Sequence, residues 1–313
     1  MSQEELQQII NAVYNNYQVT KKPEITLEAN PDDLSETVII QLSKSPVNRL
    51  SIGIQSFFEA DLKLMNRAHN AEEAKECLEI ATQYFDNISL DLIYGIPGST
   101  NDQWKENIDT ALSFGVNHIS SYALTVEPKT ALASFVKKGV IDNVDDSKAE
   151  EQFHILIKTL KASKFIHYEL SNFGKEGFFS KNNSAYWQGK PYIGIGPSAH
   201  SFNGKERSWN VRNNSKYIKA LENKEFPSEI ETLTITDKYN EYVMTGLRTI
   251  WGVSLQKVRH DFGKEYEEYL LKMSKKHIIE HLLYIENNRL LVTAKGKFLS
   301  DGIASDLFKI NDY

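Results

Sequence analysis

The chain has 313 residues, enough for one large domain plus a smaller module, and its 36 basic and 42 acidic residues give a net charge of -6. This acidic balance does not provide the net positive charge that is typical of nucleic-acid-binding proteins, so we expect no nucleic-acid partner. No apolar run reaches the length of a membrane span, and the acidic start "MSQEELQQII" lacks the features of a secretory signal, which predicts a cytoplasmic protein. The lone cysteine, Cys77, excludes a disulfide framework and a thiolate cluster within these residues.

The first half of the chain alternates helical and strand patterns. Residues 2–17 predict a helix with a capping box at Ser2 and Glu5. Its apolar face consists of Leu6, Ile9, Ile10, Val13, Tyr14 and Tyr17. Five strands follow, "EITLEA", "RLSIGIQ", "ISLDLIYG", "HISSYALT" and "HYELSNF", separated by helical segments. Strands that alternate with helices predict right-handed crossovers and a parallel sheet or barrel.

The second half loses this alternation. Residues 174–230 are rich in Gly, Ser, Asn and aromatic residues and are interpreted as a functional connector between domains. After it come three helical patterns and the segment "YIENNRLLVT", whose Asn287-Asn288 pair indicates a hairpin. Three helices and a hairpin predict a winged-helix-like module. The predicted domains are therefore 1–173, 174–230 and 231–313.

Three of the strands carry polar residues where a buried parallel strand is usually apolar. Period-two alternation places Glu28, Gln55 and Asp91 on the face opposite the apolar side chains, toward the carboxyl ends of their strands. Ligands bind at that edge in α/β barrels and open sheets. A wet or ligand-filled cavity is one interpretation. The alternative is a structural network in which Glu28 and Asp91 pair with a basic residue such as Arg67.

The motifs in their order resemble a known family. "TLEANPDDL", "NRLSIGIQSF", "LMNRAHN", "LDLIYGIPGST", "HYELSNF", "YWQG" and "YIGIGPSAHSF" resemble the HemW family of heme chaperones, relatives of oxygen-independent coproporphyrinogen III oxidase in the radical S-adenosylmethionine superfamily. The resemblance covers nearly the whole chain. It implies an α/β fold, a partial (β/α)6 radical-SAM barrel that lacks its first strands, followed by the winged-helix-like α+β module.

The resemblance also implies cofactors and the residues that bind them. The family's S-adenosylmethionine contacts fall on Glu28, Gln55, Arg67, Asp91 and Ala123. Carboxylates suit the ribose hydroxyls and the ammonium group of this cofactor, and an arginine fork suits its carboxylate. The family-implied set and the polar strand face coincide at Glu28, Gln55 and Asp91.

The chain departs from the family at its amino terminus. Family members begin with a strand whose three cysteines hold a 4Fe-4S cluster, and Met1 corresponds to a later helix, so the chain resembles a carboxyl-terminal portion of such a protein. Cys77 alone cannot hold a cluster. We therefore expect neither a cluster nor radical chemistry. The sheet would begin at "EITLEA", and its exposed edge is predicted to associate with another chain or to be covered by the first helix.

A second departure concerns heme. The family often has a His-Asn pair ahead of Tyr-Trp, but this chain has Asn182 and Asn183 before Tyr186 and Trp187. Asparagine is not among the axial ligands that heme iron prefers, which are His, Cys, Met and Tyr. Tyr186 and the nearby His200 are the alternative ligands, although both positions also suit purely structural packing.

The function implied by the resemblance is that of a heme chaperone that binds S-adenosylmethionine and heme and transfers heme to an accepting protein. One alternative is an enzyme like coproporphyrinogen III oxidase. The other is a non-catalytic binding remnant that presents the connector and the winged-helix surface to a partner. The cysteine count favours a function without radical catalysis.

Overall fold

The structure, a computed structural model, describes residues 1–310. The chain divides into two compact units, Met1–Phe179 and Ser180–Tyr313, and each is described by itself. Within the described residues, no helix is both long and apolar enough to cross a bilayer.

The first unit is built on a six-stranded sheet with the order β1-β2-β3-β4-β6-β5. Its strands are β1 (Thr26–Ala29), β2 (Arg49–Gln55), β3 (Ile88–Tyr94), β4 (His118–Ala123), β5 (Ile166–Glu169) and β6 (Asn172–Gly174). Neighbours from β1 to β4 pair in parallel. The helices are α1 (Gln3–Asn16), α2 (Glu36–Ser43), α3 (Glu59–Leu64), α4 (Ala71–Tyr84), α5 (Asn101–Ser113), α6 (Ala131–Lys137) and α7 (Asp146–Ala162). The predicted α/β class is confirmed.

The prediction of a single fifth parallel strand at "HYELSNF" is wrong. The segment folds into a hairpin, and β6 pairs antiparallel with both β4 and β5. The β5–β6 register shifts between His167 and Glu169, where the Asn172 amide donates a hydrogen bond to the Glu169 carboxylate. After the crossover through α7, β5 therefore runs parallel to β4 but is not its neighbour in the sheet. The strand β6 lies between them and runs in the opposite direction.

Apolar side chains on one face of the sheet form the core of this unit. Leu50, Ile52, Leu90, Leu92 and Ile119 are fully buried. They share the core with the buried side chains Ala74, Cys77, Leu78 and Ala81 of α4, and Trp104 and Ile108 of α5. This packing leaves the polar side chains of β3 and β4 on the opposite face, as the period of two predicts.

The second unit begins with elements that sequence analysis assigned to an irregular connector. These are the helix α8 (Lys181–Trp187), a three-stranded antiparallel sheet of β7 (His200–Phe202), β8 (Glu206–Asn210) and β9 (Ser228–Thr232), and the helix α9 (Asn214–Glu222). The connector is therefore more regular than predicted. Its strands have three to five residues and little burial, so the sequence carries no alternating pattern that would reveal them.

The remainder of the second unit has the predicted winged-helix-like arrangement. Its elements are α10 (Ile235–Leu247), β10 (Val253–Ser254), α11 (Leu255–Phe262), α12 (Lys264–Ile279), β11 (Leu283–Glu286), β12 (Arg289–Val292) and α13 (Ser300–Asp306). Asn287 and Asn288 have φ angles of 48° and 61°, as the tight turn of the β11–β12 hairpin requires. Tyr239, Val243 and Leu270 are fully buried in one core with Leu290 of the hairpin.

Candidate functional site

The carboxyl ends of the parallel strands bring several predicted residues together. Glu28 is exposed near the end of β1, whereas Gln55 and Asp91 are half-buried on β2 and β3. Ala123 is the exposed last residue of β4, paired with Tyr94 at the end of β3. These positions lie at the edge where α/β folds bind their ligands.

Gly53 is the centre of the closest group of polar side chains. A methyl group built on its Cα would lie 2.9 Å from Gln55 Nε2, 3.1 Å from Asn30 Oδ1 and 3.3 Å from an Arg67 guanidinium nitrogen. The same Arg67 nitrogen donates hydrogen bonds to Asn30 Oδ1 at 2.5 Å and to the Gly53 carbonyl at 3.3 Å. The missing side chain at Gly53 therefore leaves room for three polar groups to converge.

Arg67 keeps one donor available at this point. Its Nε is buried and has no hydrogen-bond partner among residues 1–310. A buried N–H that lacks a partner costs about 1–3 kcal/mol, so an acceptor placed there would be bound favourably. The orientation of Arg67 in turn depends on its backbone N–H, which donates to the Leu62 carbonyl at 2.9 Å after Asn66 reverses the chain with a φ of 53°.

The loop that carries Arg67 is fixed to the end of β2 by His69. The His69 ring is buried, its Nε2 lies 3.1 Å from the Ile54 carbonyl oxygen, and its Nδ1 lies 3.7 Å from Asp32 Oδ1. Sequence analysis did not single out His69. The motif "NRAHN" places His69 two residues after Arg67 in the same loop, but its contacts with Ile54 and Asp32 have no local signal in the sequence.

A bulge in β2 sets the position of Gln55. The pairing of β2 with β3 shifts between Ile52 and Gln55, so three steps along β2 match two steps along β3. Gln55 also has a φ of 67°, which a non-glycine residue rarely adopts. The alternation of side chains between the two faces of β2, which was assumed from the sequence, therefore ends before Gln55. Bulges and positive φ angles of this kind are frequent where a strand end redirects a side chain toward a site.

Several charged and polar groups at the strand ends act on the Asp91 carboxyl. Burial raises the pKa of its carboxyl to about 6, and the Glu28 carboxylate adds to the rise, whereas the Ser120 hydroxyl and the guanidinium groups of Arg49 and Arg67 oppose it. Among the described residues, neither Asp91 nor Glu28 has a basic nitrogen within 4.0 Å. The close pairing of these carboxylates with Arg67, offered above as the structural alternative, is therefore not seen.

A buried polar network extends below Asp91 on the same face of the sheet. Ser89 Oγ lies 2.7 Å from His118 Nδ1, and His118 Nε2 lies 2.8 Å from the Tyr168 hydroxyl. Ser120 donates to Asn172 Oδ1 at 2.7 Å. Burial lowers the pKa of His118 to about 3, and the charge of Arg49 lowers it as well, so the imidazole is neutral. Sequence analysis missed this network, although the alternation in "HISSYA" places these side chains on the face of Asp91.

The residues considered for heme lie in the second unit and separate into two groups. Tyr186 and Trp187, at the end of α8, line a cleft of about 920 Å³. Asn182 and Asn183 are not among its lining residues; the Ser180 side chain caps α8 by accepting a hydrogen bond from the Asn183 N–H. His200 is exposed on β7, paired with Trp209 of β8, and does not line the cleft either.

Comparison with known protein families finds a match in each of the two units. Residues 2–111 match the radical SAM superfamily and residues 233–299 match the HemN C-terminal domain. The chain is 32% identical over 306 residues to the heme chaperone HemW of Bacillus subtilis, covering 97% of this chain and 81% of that protein. It is 31% identical over 304 residues to the heme chaperone HemW of Lactococcus lactis, covering 97% and 80%.

A solved structure has the same fold. The coproporphyrinogen III oxidase HemN from Escherichia coli, described as a radical SAM enzyme, superposes with a TM-score of 0.83 and covers 98% of this chain and 75% of its own. Its sequence identity is 19%, so the likeness concerns the fold. With relatives above 30% identity matched over nearly its whole length, the chain belongs to the HemW family of radical SAM proteins.

Proposed function

We propose that the chain is a heme chaperone that binds S-adenosylmethionine at the strand ends of the first unit, binds heme in the second unit, and passes heme to an accepting protein. The family membership and the names of the relatives support the heme half of this proposal. The observation that carries the S-adenosylmethionine half is the convergence of Gln55, Arg67 and Asn30 over Gly53 beside Asp91.

The donor set at the strand ends fits S-adenosylmethionine. The Arg67 guanidinium, whose buried Nε has no partner among residues 1–310, is suited to the carboxylate of the methionine moiety, since a guanidinium binds carboxylates with directed hydrogen bonds. Asp91 and Glu28 can accept hydrogen bonds from the ammonium group and the ribose hydroxyls. Gln55 offers both a donor and an acceptor, and Ala123 leaves the end of β4 open for contact with its backbone.

The chain does not fit the 4Fe-4S cluster that the superfamily uses. Its one cysteine, Cys77, is buried in α4, and burial raises the pKa of the thiol to about 12. A cluster requires several thiolates at close quarters. Within residues 1–310 no group of three or more His, Cys, Asp and Glu side chains could hold a metal ion. We therefore derive no radical step and assign the chain a binding and transfer function.

Substitution of Gly53 tests the S-adenosylmethionine site. In Gly53→Ala the new methyl group would lie within 3.3 Å of the Gln55 and Arg67 side chains, so both must move. We expect S-adenosylmethionine binding, measured by isothermal titration calorimetry, to weaken at least about tenfold, the equivalent of roughly 1.4 kcal/mol. The unfolding midpoint should change little, because the groups displaced are the ends of flexible side chains.

The matched control is Gly302→Ala, because a methyl group at Gly302 of α13 meets no atom within 4 Å. This variant should bind S-adenosylmethionine as the wild type does. Equal affinities for Gly53→Ala and the wild type, or no binding by the wild type, would refute this site. The heme half requires that the wild-type chain bind hemin with a shifted Soret band, and an unchanged spectrum at excess protein would refute it.

A further inference from the structure

The cleft in the second unit has the size and walls of a small-molecule site. Its volume of about 920 Å³ falls in the range of about 300–1,000 Å³ that such sites occupy. Within residues 1–310, seven aromatic side chains from several elements line it, namely Tyr186, Trp187, Tyr192, Phe202, Tyr242, Phe262 and Phe308. Planar aromatic walls favour a ligand with an extended flat apolar body.

Most charged groups on the walls are already paired. Arg207 bonds to Glu241, Lys257 bonds to Asp261, and Arg248 bonds to Asp301 with two hydrogen bonds of 2.7 and 2.5 Å. Arg248 also lies over the Trp187 ring, 5.5 Å from its centroid, which fixes the indole as part of the wall. These pairs need no charge from a ligand.

Lys238 differs from the other cations of the cleft. It lines the cleft from the first turn of α10 and is half-buried, and its ammonium makes no hydrogen bond or ion pair within residues 1–310. An ammonium beside aromatic walls is stabilised by an anionic partner, and a hydrogen bond to a charged group contributes about 1.5–3 kcal/mol. The walls and this cation together describe a flat aromatic ligand that carries a carboxylate.

We propose that this cleft binds a tetrapyrrole, with the macrocycle against the aromatic walls and one of its carboxylates on Lys238. The inference rests on the proposed heme function and assigns it a site. The cleft has no His or Cys among its lining residues, and the other residue types that ligate heme iron are represented there by Tyr186, Tyr192, Tyr242 and Met244. The proposal assigns the binding energy to the macrocycle and the carboxylate, so that ligation of the iron by these residues is not required.

The inference is tested with three ligands and two variants, followed by absorbance and fluorescence quenching. Hemin and metal-free protoporphyrin IX should bind the wild type with affinities within about threefold of each other, since the iron is not a main contact. The dimethyl ester of protoporphyrin IX, which has no free carboxylate, should bind about tenfold more weakly. Lys238→Met should weaken binding of the free acid by a similar factor and leave binding of the ester unchanged.

Lys272→Met is the matched control, because Lys272 is exposed on α12 and does not line the cleft; its affinities should equal those of the wild type. Wild-type affinities that are equal for acid and ester would overturn the inference without any variant. Hemin binding that is equal in the wild type and Lys238→Met would overturn the site but leave the proposed heme function intact. No porphyrin binding by the wild type would overturn both.

Discussion

Asp91 is a half-buried carboxylic acid whose pKa lies close to neutral pH. Its pKa is raised from the ordinary value of 3.8 to about 6 by burial, and Glu28 raises it further. Arg49 and Arg67 oppose the rise without forming a close ion pair with it. S-adenosylmethionine carries a sulfonium and an ammonium group, so its binding would place a positive charge beside this carboxylate.

This environment predicts how S-adenosylmethionine binding depends on pH. Below a pH of about 6 Asp91 is mostly protonated and attracts a cation weakly, and above it the carboxylate is ionised. Affinity measured by calorimetry should therefore rise as the pH increases from about 5 to about 7.5 and then level off. In Asp91→Asn the rise should be largely lost. Glu28 and Tyr122, which also act on this site, are present in both proteins.

The same shift has an opposite consequence for the ligand-free chain. Because the pKa of Asp91 in the folded chain lies above the ordinary value, ionisation of this carboxyl destabilises the fold. The free energy of unfolding therefore falls as the pH rises from about 4 through about 6. Asp91→Asn should thus have the higher unfolding midpoint at pH 7.5, by an amount that shrinks toward pH 4. Asp86→Asn, at an exposed position just before β3, serves as the control. Parallel pH curves for Asp91→Asn and the wild type would contradict the assignment.

Sequence alternation accounts for the position of Asp91 but not for that of Gln55 or for the contacts of either residue. Asp91 follows the period of two because β3 is regular through its length. Gln55 does not, because its bulge depends on how β2 pairs with β3, a long-range property that no local pattern encodes. Asn30 was missed for a related reason. Its contact with Arg67 joins residues 37 positions apart.

Among the elements, long amphipathic helices were predictable and short strands were not. The helices α4, α5 and α7 have 13 to 17 residues and bury one face each, so their period is visible in the sequence. The β7-β8-β9 sheet has strands of three to five residues whose side chains, apart from the buried Asn210, are intermediate or exposed. Such strands are defined by the hydrogen bonds between them, and the sequence of residues 174–230 does not predict these bonds.

The helix α1 presents an apolar face that the first unit does not cover. Of the predicted face only Ile10 is buried, whereas Ile9, Val13, Tyr14 and Tyr17 expose 55%, 39%, 47% and 54% of their surface. The strand β1 lies at the end of the sheet and, within the described residues, hydrogen-bonds only to β2. Exposed apolar faces and unpaired strand edges both favour association with other chains.

We therefore expect the chain to self-associate through this part of the first unit. Light scattering at increasing concentration should give a mass above that of the 35.8 kDa monomer. Replacing Val13 and Tyr17 by lysine should shift the protein toward the monomer, because charges on α1 oppose apolar contact. Lysines at Gln8 and Asn15, exposed positions outside the predicted apolar face, should leave the mass unchanged. A monomeric wild type at all concentrations would contradict the expectation.

For the whole molecule, ordered motifs predicted more than composition did. The succession from "TLEANPDDL" to "YIGIGPSAHSF" indicated the family, and matches at about 30% identity over 97% of the chain confirm it. The cleft that we assign to a tetrapyrrole could not be predicted in the same way. Its walls include residues of α8, β7, β8, β9, α10 and α11, and residues so far apart in sequence share no local pattern.

The cysteine content of the chain leads to a prediction about the 4Fe-4S cluster. The 313 residues contain one cysteine, and burial keeps its thiol protonated. After anaerobic reconstitution with iron and sulfide, we expect well under one iron per chain and no absorption band of a cluster. With dithionite present, S-adenosylmethionine should not be cleaved, although it should still bind.

Cys77→Ala provides the matched control for that experiment. Since Cys77 is packed among the apolar residues of α4, its replacement by alanine should leave the iron content and the S-adenosylmethionine affinity equal to those of the wild type. Iron near four per chain that disappears in Cys77→Ala would show that the thiol takes part in a cluster. Retained affinity without a cluster, by contrast, would mean that the strand ends alone bind the cofactor, which separates recognition of S-adenosylmethionine from its cleavage.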